Sequence, residues 1–172
     1  AAYPGGRVLS RETGHERAYG RNPYAAYDRP DSTPFLFRGQ PDRRRPPKER
    51  IVGVIVSGSP RAYPWSALVA QGVIQETVGG ERLVVFYRPG AVSALDEAEI
   101  ARSREVGATG VFSATVDGKG LSFERLPGGF RDRESGSTWP GTCTTASARC
   151  SGTCPSRRMP LASSLATAGF RR

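Results

Sequence analysis

The side chains best suited to chemistry are grouped near the end of the β-rich part of the chain. Asp132, Arg133 and Glu134 are consecutive, and Ser137 and Trp139 follow them closely. In a cleft, this set would orient an anionic or hydroxylated ligand, because arginine forms paired hydrogen bonds and tryptophan stacks on flat groups. On an exposed strand, the same side chains would form surface ion pairs. The sequence favours the surface or structural use and leaves a ligand site as the alternative.

A second group of polar side chains lies on two neighbouring predicted strands. Arg61 and Tyr63 alternate along the first strand, and Glu76 and Thr77 lie on the second. Because the two strands are predicted to be neighbours, these residues are candidates to face one pocket. The order in which strands pair cannot be read from one sequence, so the meeting of these residues in a ligand-binding pocket is a prediction.

The histidine and cysteine content of the chain argues against a Ser-His-Asp triad and a structural zinc site. The chain has a single histidine, His15, so a Ser-His-Asp triad would depend on the irregular N-terminal part, where packing is the simpler role. Cys143, Cys150 and Cys154 are spaced more widely than the ligands of structural zinc sites and lack a neighbouring fourth ligand. We therefore expect no metal site, no cofactor and no identifiable catalytic residue.

The formal charge of +9 on 172 residues suggests an anionic partner, since excess lysine and arginine is the usual signature of phosphate binding. More than half of this excess lies in residues 140–172, which contain five arginines and no acidic residue. A second basic stretch, residues 38–50, contains three prolines and is typical of a solvated connector. We therefore do not expect nucleic acid as the main partner, and the sequence indicates no other partner or oligomeric state. No apolar run approaches the ~20 residues that span a bilayer.

Composition divides the chain into three regions. Residues 1–50 are rich in proline and aromatic residues without periodicity, which indicates an extended arm anchored by its aromatic side chains. Residues 51–139 contain the β-branched and alternating segments of a folded core. Residues 140–172 contain ten Ser or Thr and all three cysteines. We expect this low-complexity tail to be disordered. Our hypothesis is that it is read out of frame or is otherwise not the ancestral end of the chain.

The core is predicted to consist of antiparallel hairpins and two short helices. Gly-Gly and Asp-Gly pairs between β-rich segments are strong hairpin signals, since type I′ turns need positive φ at both positions. The predicted hairpins join residues 51–56 to 61–63, 73–78 to 81–87 and 111–116 to 121–126, and the predicted helices cover residues 64–71 and 95–106. This pattern predicts an α+β, mainly β fold with a curved or barrel-like sheet.

Several motifs in one order give the chain a family resemblance. Residues 61–96 contain RAYP and ETVGGERLVVFYRP, residues 116–123 read VDGKGLSF, and residues 132–139 read DRESGSTW. These segments are similar to the ARAYP, VNDTVGG, VDGRTLTF and DRETGSTW segments of the domain of unknown function 3179 family (DUF 3179). Residues 9–28 and 34–39 also resemble the arm that precedes this domain in part of the family. Several motifs in one order make the resemblance specific.

Two features of this chain differ from that family. Arg88-Pro89-Gly90-Ala91 stands where many members have Cys-Pro-Leu-Cys, so the redox or metal chemistry of a paired-cysteine motif is lost at this position. Arg88 is therefore a candidate ligand contact, with a solvated strand end as the alternative. The resemblance also implies further β segments after Trp139, so we expect the core to be incomplete relative to the family.

The leading hypothesis is a non-catalytic binding or structural module, in the cell-envelope setting that the leaders of family members imply. The alternative is an enzyme that uses Arg88 with Asp132, Arg133 and Glu134, and it requires these groups to converge in one pocket with perturbed carboxylates. Weak nucleic-acid binding through the basic arm and tail is the third hypothesis, and it predicts affinity that falls steeply with salt. No substrate or ligand follows from the residues.

Overall fold

The structure is a computed structural model that describes residue 10 and residues 12–140. Contacts divide the chain into two compact units, Arg50–Arg88 with Ala108–Arg172 and Ala1–Glu49 with Pro89–Gly107. We call the first the sheet unit and the second the arm unit. The predicted disordered tail lies, apart from residue 140, outside the described residues. None of the described helices has the length and apolar character needed to cross a lipid bilayer.

The described part of the sheet unit consists of ten strands and one short helix. In chain order they are β1 (Ile51–Val56), β2 (Ser59–Pro64), α1 (Trp65–Gln71), β3 (Val73–Val78), β4 (Glu81–Arg88), β5 (Ala108–Ser113), β6 (Thr115–Val116), β7 (Lys119–Gly120), β8 (Phe123–Leu126), β9 (Gly129–Asp132) and β10 (Thr138–Pro140). The strands pair as β1–β2, β3–β4–β5, β6–β7 and β8–β9–β10, and every pair is antiparallel. The predicted mainly β, antiparallel architecture is therefore confirmed.

Two-residue turns with left-handed backbone conformations form the tight hairpins. Ser57 and Gly58 connect β1 to β2 with φ of 47° and 77°, and Gly79 and Gly80 connect β3 to β4 with φ of 56° and 84°. Positive φ at both positions gives a turn the twist that suits the flanking strands. Gly79 has a second reason to be glycine, because a Cβ atom there would overlap the carbonyl oxygen of Val56.

The predicted third hairpin and the barrel-like sheet differ from the structure. The turn at Asp117 and Gly118 joins only the two-residue strands β6 and β7, and β8 pairs with β9 rather than with residues 111–116. The hydrogen-bond ladder is therefore interrupted between β5 and β8. The described strands form four separate small sheets, and none of these sheets closes into a barrel.

The second predicted helix is wrong. Residues 95–106 contain only a 3₁₀ turn at Ile100–Arg102. The Asp96 carboxylate accepts a hydrogen bond from the backbone N–H of Arg104 at 2.9 Å, and the Ser103 hydroxyl accepts another backbone N–H at 3.1 Å. Such local side-chain bonds to the backbone compete with the hydrogen bonds of a helix.

Strand β4 is the centre of the sheet unit because both of its faces are covered. Leu83, Val85 and Tyr87 belong to one apolar cluster, and Val84 and Phe86 belong to the other. Successive residues point to opposite faces, so an unbroken apolar run is what a strand buried on both sides requires. The first cluster also contains residues of β1, β2 and α1, and the second contains aromatic residues of β8, β9 and β10.

The arm unit is held together by backbone hydrogen bonds and buried polar groups. The N–H of Asn22 donates to the carbonyl of Ala98 at 2.8 Å, and the N–H of Ile100 donates to the carbonyl of Gly20 at 3.3 Å. Its buried polar side chains are Asn22, Asp28, Ser93, Asp96 and Ser103. The arm aromatics Tyr19, Tyr24 and Phe35, by contrast, are exposed. Buried polar groups therefore stabilise the arm unit, where the sequence predicted anchoring by aromatic side chains.

Arg104 connects the two segments of the arm unit. Its guanidinium donates to the Asp96 carboxylate at 3.0 Å and to the carbonyl oxygen of Asp28 at 2.9 Å. It also forms an ion pair with the Asp28 carboxylate at 3.2 Å, and the Ser93 hydroxyl donates to that same carboxylate. One cation thus neutralises two carboxylates that are largely removed from water, which is the condition for burying them.

Candidate functional site

Asp132 ends strand β9 and is fully buried. One carboxylate oxygen accepts hydrogen bonds from the backbone N–H and the hydroxyl of Ser135, both at 2.6 Å. The other accepts the indole N–H of Trp139 at 2.9 Å. Three donors satisfy a buried carboxylate well. Asp132, which the sequence offered as a candidate ligand contact, is therefore hydrogen-bonded within the DRESGSTW segment.

The turn after β9 explains why these residue types follow one another. The N–H of Asp132 donates to the carbonyl of Ser137, and the N–H of Gly136 donates to the carbonyl of Asp132, both at 3.0 Å. Gly136 has a φ of 70°, a conformation that glycine adopts without steric cost. The chain reverses here, so that Trp139 on β10 lies opposite Phe130 on β9. The predicted Ser137 and Trp139 are thus parts of a closed turn.

Glu134 and Arg133 bind the segment that precedes β8. The Glu134 carboxylate accepts the backbone N–H of Ser122 at 2.7 Å, and the backbone N–H of Arg133 donates to the Ser122 carbonyl at 2.8 Å. The Arg133 side chain forms an ion pair with Glu124 on β8 at 3.5 Å. The VDGKGLSF and DRESGSTW segments therefore hold each other in place.

We call the contacts of Asp132 and Glu134 with the turn and with Ser122 the Asp132 network. Both of its carboxylates are stabilised in the ionised form. Burial by itself would raise the pKa of Asp132, but the hydrogen bonds from Ser135 and Trp139 outweigh it and lower that pKa below its usual value. The backbone hydrogen bond from Ser122 lowers the pKa of Glu134. Carboxylates with lowered pKa values are poor proton donors at neutral pH, so the network is unsuited to general acid catalysis.

Arg61, Tyr63 and Glu76 form a second polar cluster in the sheet unit. The Arg61 guanidinium on β2 binds the Glu76 carboxylate on β3 through two hydrogen bonds, Nε to Oε1 at 2.7 Å and Nη2 to Oε2 at 2.5 Å. Tyr63 lies on the same face of β2 as Arg61 and is only 4% exposed. The structure thus brings together three residues that the sequence proposed for one pocket, while ligand binding by them stays a prediction.

The Tyr63 hydroxyl is the unusual group of this cluster. It is buried and interacts with the Glu76 carboxylate, but no group in the described part of the chain is in good hydrogen-bonding geometry with it. Burial raises the pKa of Tyr63 well above its usual value, and the nearby Glu76 carboxylate adds to the increase. The Arg61 guanidinium lowers the pKa of Glu76. At neutral pH the cluster therefore combines an ionised acceptor, a cationic donor and a neutral phenol donor.

Arg88 and the other candidates lie apart from both networks. Arg88 is exposed at the end of β4, and its side chain forms no hydrogen bond or ion pair with Asp132, Arg133 or Glu134. His15 is exposed as well. No three His, Cys, Asp or Glu side chains among residues 10 and 12–140 are grouped so as to hold a metal ion. The candidate ligands Cys143, Cys150 and Cys154 lie outside the described residues.

Sequence reasoning missed Gln75 on β3. Its side-chain amide accepts the N–H of Phe123 at 2.9 Å and donates to the carbonyl of the same residue at 3.1 Å. The amide thereby forms with Phe123, the first residue of β8, the two backbone hydrogen bonds that a neighbouring strand would form. No sequence signal identifies such a role, because an exposed-looking glutamine in an alternating strand is ordinarily a solvent-facing residue.

No curated protein and no solved structure matches this chain. A family model does match it, over residues 1–167, and its description reads protein of unknown function (DUF3179). The match includes the segments that carry the Asp132 network and the Arg61 cluster, as well as the Arg88 position. Since it covers nearly the whole sequence, the chain belongs to the DUF3179 family of proteins of unknown function.

Proposed function

We propose that this chain is a non-catalytic binding module and that its ligand contacts Arg61, Tyr63 and Glu76. The observation that carries the proposal is the buried Tyr63 hydroxyl, which interacts with the Glu76 carboxylate but has no hydrogen bond of good geometry to any described residue. Buried polar groups are nearly always satisfied in folded proteins, so an exception beside charged groups is a candidate for a ligand contact. A ligand oxygen that accepts the Tyr63 hydroxyl proton would satisfy it.

The energetics of the cluster support binding at this point. The Arg61–Glu76 ion pair is the outer part of the cluster, with 56% of the Arg61 side chain exposed. An exposed ion pair contributes little to stability, so moving Arg61 aside costs little. Leaving a buried hydroxyl unsatisfied costs about 1–3 kcal/mol, part of which a ligand recovers. The ion pair therefore opposes ligand binding at the Tyr63 hydroxyl only weakly.

The enzyme hypothesis receives less support. It required Arg88, Asp132, Arg133 and Glu134 to converge in one pocket. Asp132 and Glu134 are instead bonded within the turn network, and Arg88 forms no contact with them in the described part of the chain. No observation favours a reaction at these residues.

Nucleic-acid binding through the arm also receives less support, because two cations of the basic connector, Arg44 and Arg45, have local acidic partners. This leaves Arg38 and Arg43 as its exposed cations without an ion-pair partner among the described residues. Arg44 forms an ion pair with Asp42 at 2.5 Å, and Arg45 forms one with Glu49 at 3.4 Å. Paired cations contribute less to phosphate binding than free ones, since the local acid competes with the phosphate. The part of this hypothesis that concerns the tail lies outside the described residues.

The binding hypothesis is tested by titrating the full chain with N-methylacetamide, acetate and glycerol, which supply carbonyl, carboxylate and hydroxyl oxygens. NMR detection of the Arg61 Nε–H reports directly on the cluster. We expect a saturable change in the chemical shift of the Arg61 Nε–H with at least one probe in the wild type, and the loss of this change in Tyr63→Phe. Tyr87→Phe is the matched control, because Tyr87 is a buried tyrosine of the same apolar cluster.

Two results would contradict the proposal. One is the absence of a saturable Arg61 shift with all three probes in the folded wild-type protein. The other is an unchanged shift in Tyr63→Phe, since binding would then not use the hydroxyl. Equal losses in Tyr63→Phe and Tyr87→Phe would count against it as well, because a general effect of core substitution would explain them.

A further inference from the structure

The arm unit carries a short, exposed apolar turn at residues 34–37. The backbone N–H of Phe37 donates to the carbonyl of Pro34 at 3.1 Å, which closes the turn. Between them, Phe35 is 64% exposed and Leu36 is 80% exposed. Single exposed apolar residues are common on protein surfaces, but two adjacent large ones at the tip of a turn are a feature of interaction sites.

The turn is supported by an aromatic base. The ring of Phe35 packs edge-on against that of Tyr27, with centroids 5.4 Å apart, and Tyr27 also contacts Tyr24. The Lys48 ammonium lies 3.9 Å from the centre of the Tyr27 ring and donates to the Tyr27 carbonyl at 2.6 Å. These contacts position the turn, so that Leu36 is presented to the surroundings by an ordered support rather than by a loose segment.

Exposed cations accompany this apolar turn. Arg38 follows it directly, and Arg29 and Arg43 lie in the same arm. All three are exposed and have no ion-pair partner among the described residues, in contrast to Arg44 and Arg45. The arm therefore combines the apolar tip of this turn with exposed arginines that are available to an anionic surface, of which Arg38 directly adjoins the turn.

We propose that the residue 34–37 turn docks the protein on a membrane surface that contains anionic lipids. Phe35 and Leu36 enter the boundary between headgroups and acyl chains, and Arg29, Arg38 and Arg43 contact the lipid phosphates. A lipid surface fits this set better than a nucleic acid does. Single strands are bound through stacked aromatic faces, and an aliphatic side chain as exposed as Leu36 contributes nothing to stacking.

The experiment is co-sedimentation of the full chain with vesicles of phosphatidylcholine, with and without phosphatidylserine. We expect binding to the anionic vesicles that weakens as salt is raised. The double variant Phe35→Ser, Leu36→Ser should reduce that binding by more than about tenfold, since it removes most of the apolar surface that is transferred. Val69→Ser is the matched control, because Val69 is a comparably exposed apolar residue, 45%, in the sheet unit.

Far-ultraviolet circular dichroism of each variant shows whether the strands are retained. Equal binding to vesicles with and without phosphatidylserine would overturn the proposal, because the arginines would then have no role. Unchanged binding in the double variant, or an equal loss in Val69→Ser, would overturn the assignment to the turn. Salt-sensitive binding to a single-stranded RNA oligonucleotide without vesicle binding would replace the lipid surface with nucleic acid as the partner.

Discussion

Trp139 donates its indole N–H to the buried carboxylate of Asp132 over 2.9 Å. The bond joins strand β10 to the end of β9, and both side chains are largely or fully buried. Two residues of the DRESGSTW segment that resembled a ligand site thus form a structural contact. Its chemistry also makes it measurable, because the tryptophan reports on the state of the carboxylate through its fluorescence.

Asp132→Ala should lower the free energy of unfolding by about 2–3 kcal/mol, because it leaves the buried Trp139 N–H and the N–H of Ser135 without their acceptor. Urea unfolding followed by tryptophan fluorescence measures the change. The control is Arg133→Ala, whose side chain is exposed and, among the described residues, forms only a long ion pair with Glu124. It should change stability by less than about 0.5 kcal/mol. Similar losses in the two variants would refute a structural role specific to Asp132.

The lowered pKa values of Asp132 and Glu134 predict a loss of stability in acid. In the unfolded chain, aspartate and glutamate titrate near about 4. Because the folded-state pKa values are lower, the unfolded state binds more protons as the pH falls toward and below about 4. The stabilisation is therefore complete at neutral pH and is lost as the pH falls through the folded-state values.

The measurement is the free energy of unfolding of the wild type and of Asp132→Asn between neutral and acidic pH. Asp132→Asn should be less stable at neutral pH, because the amide accepts fewer hydrogen bonds, and its stability should depend less on pH in the acidic range. Parallel pH profiles for the two proteins would show that Asp132 does not contribute to acid sensitivity.

The two hairpins that match the prediction, β1–β2 and β3–β4, were the most predictable part of the fold because their signals are local. Gly79 and Gly80 lie between two β-rich segments, and the left-handed turn follows from them directly. The prediction of a helix over residues 95–106 was wrong because its signal, although local, is ambiguous. Asp96 looks like a residue of a first helical turn, whereas in the structure its carboxylate binds a backbone N–H and the guanidinium of Arg104.

The candidate site was less predictable because its contacts are not local. Glu134 binds the backbone of Ser122, which is 12 residues away, and Gln75 on β3 binds that of Phe123 on β8, which is 48 residues away. Such pairs are set by how the sheets pack, and residue type alone does not distinguish them from solvent-facing side chains. The predicted meeting of Arg61 with Glu76 needed only two neighbouring strands, and in the structure the two side chains are in contact.

Tyr63→Phe should not destabilise the unliganded protein and should raise its free energy of unfolding by up to about 1 kcal/mol. The substitution removes a buried hydroxyl that has no partner among the described residues and preserves the ring that packs in the core. Thermal and urea unfolding measure the difference. A loss of more than about 1 kcal/mol would mean that the hydroxyl is hydrogen-bonded in solution, with Glu76 as its nearest acceptor.

Gly79→Ala should be more damaging than Gly80→Ala, although both positions have positive φ. A left-handed conformation costs a non-glycine residue about 1–2 kcal/mol, and this cost applies to both variants. At Gly79 the new Cβ would also overlap the Val56 carbonyl, whereas nothing lies within 4 Å of a Cβ at Gly80. The overlap should add about 1–3 kcal/mol to the destabilisation, as overpacking does. Equal unfolding free energies for the two variants would show that the turn moves away from Val56 without cost.

Arg104→Ala should open the arm unit locally. It removes the cation shared by Asp28 and Asp96, each of which is about 8% exposed, and leaves two buried carboxylates without it. Hydrogen exchange of the Asn22 amide, which donates to Ala98, should accelerate by more than about tenfold. Arg102→Ala is the control, because Arg102 is 78% exposed and pairs only with Glu99 among the described acids, so exchange at Asn22 should change little. If both variants accelerate exchange equally, the loss of a positive charge rather than the Arg104 contacts controls the opening.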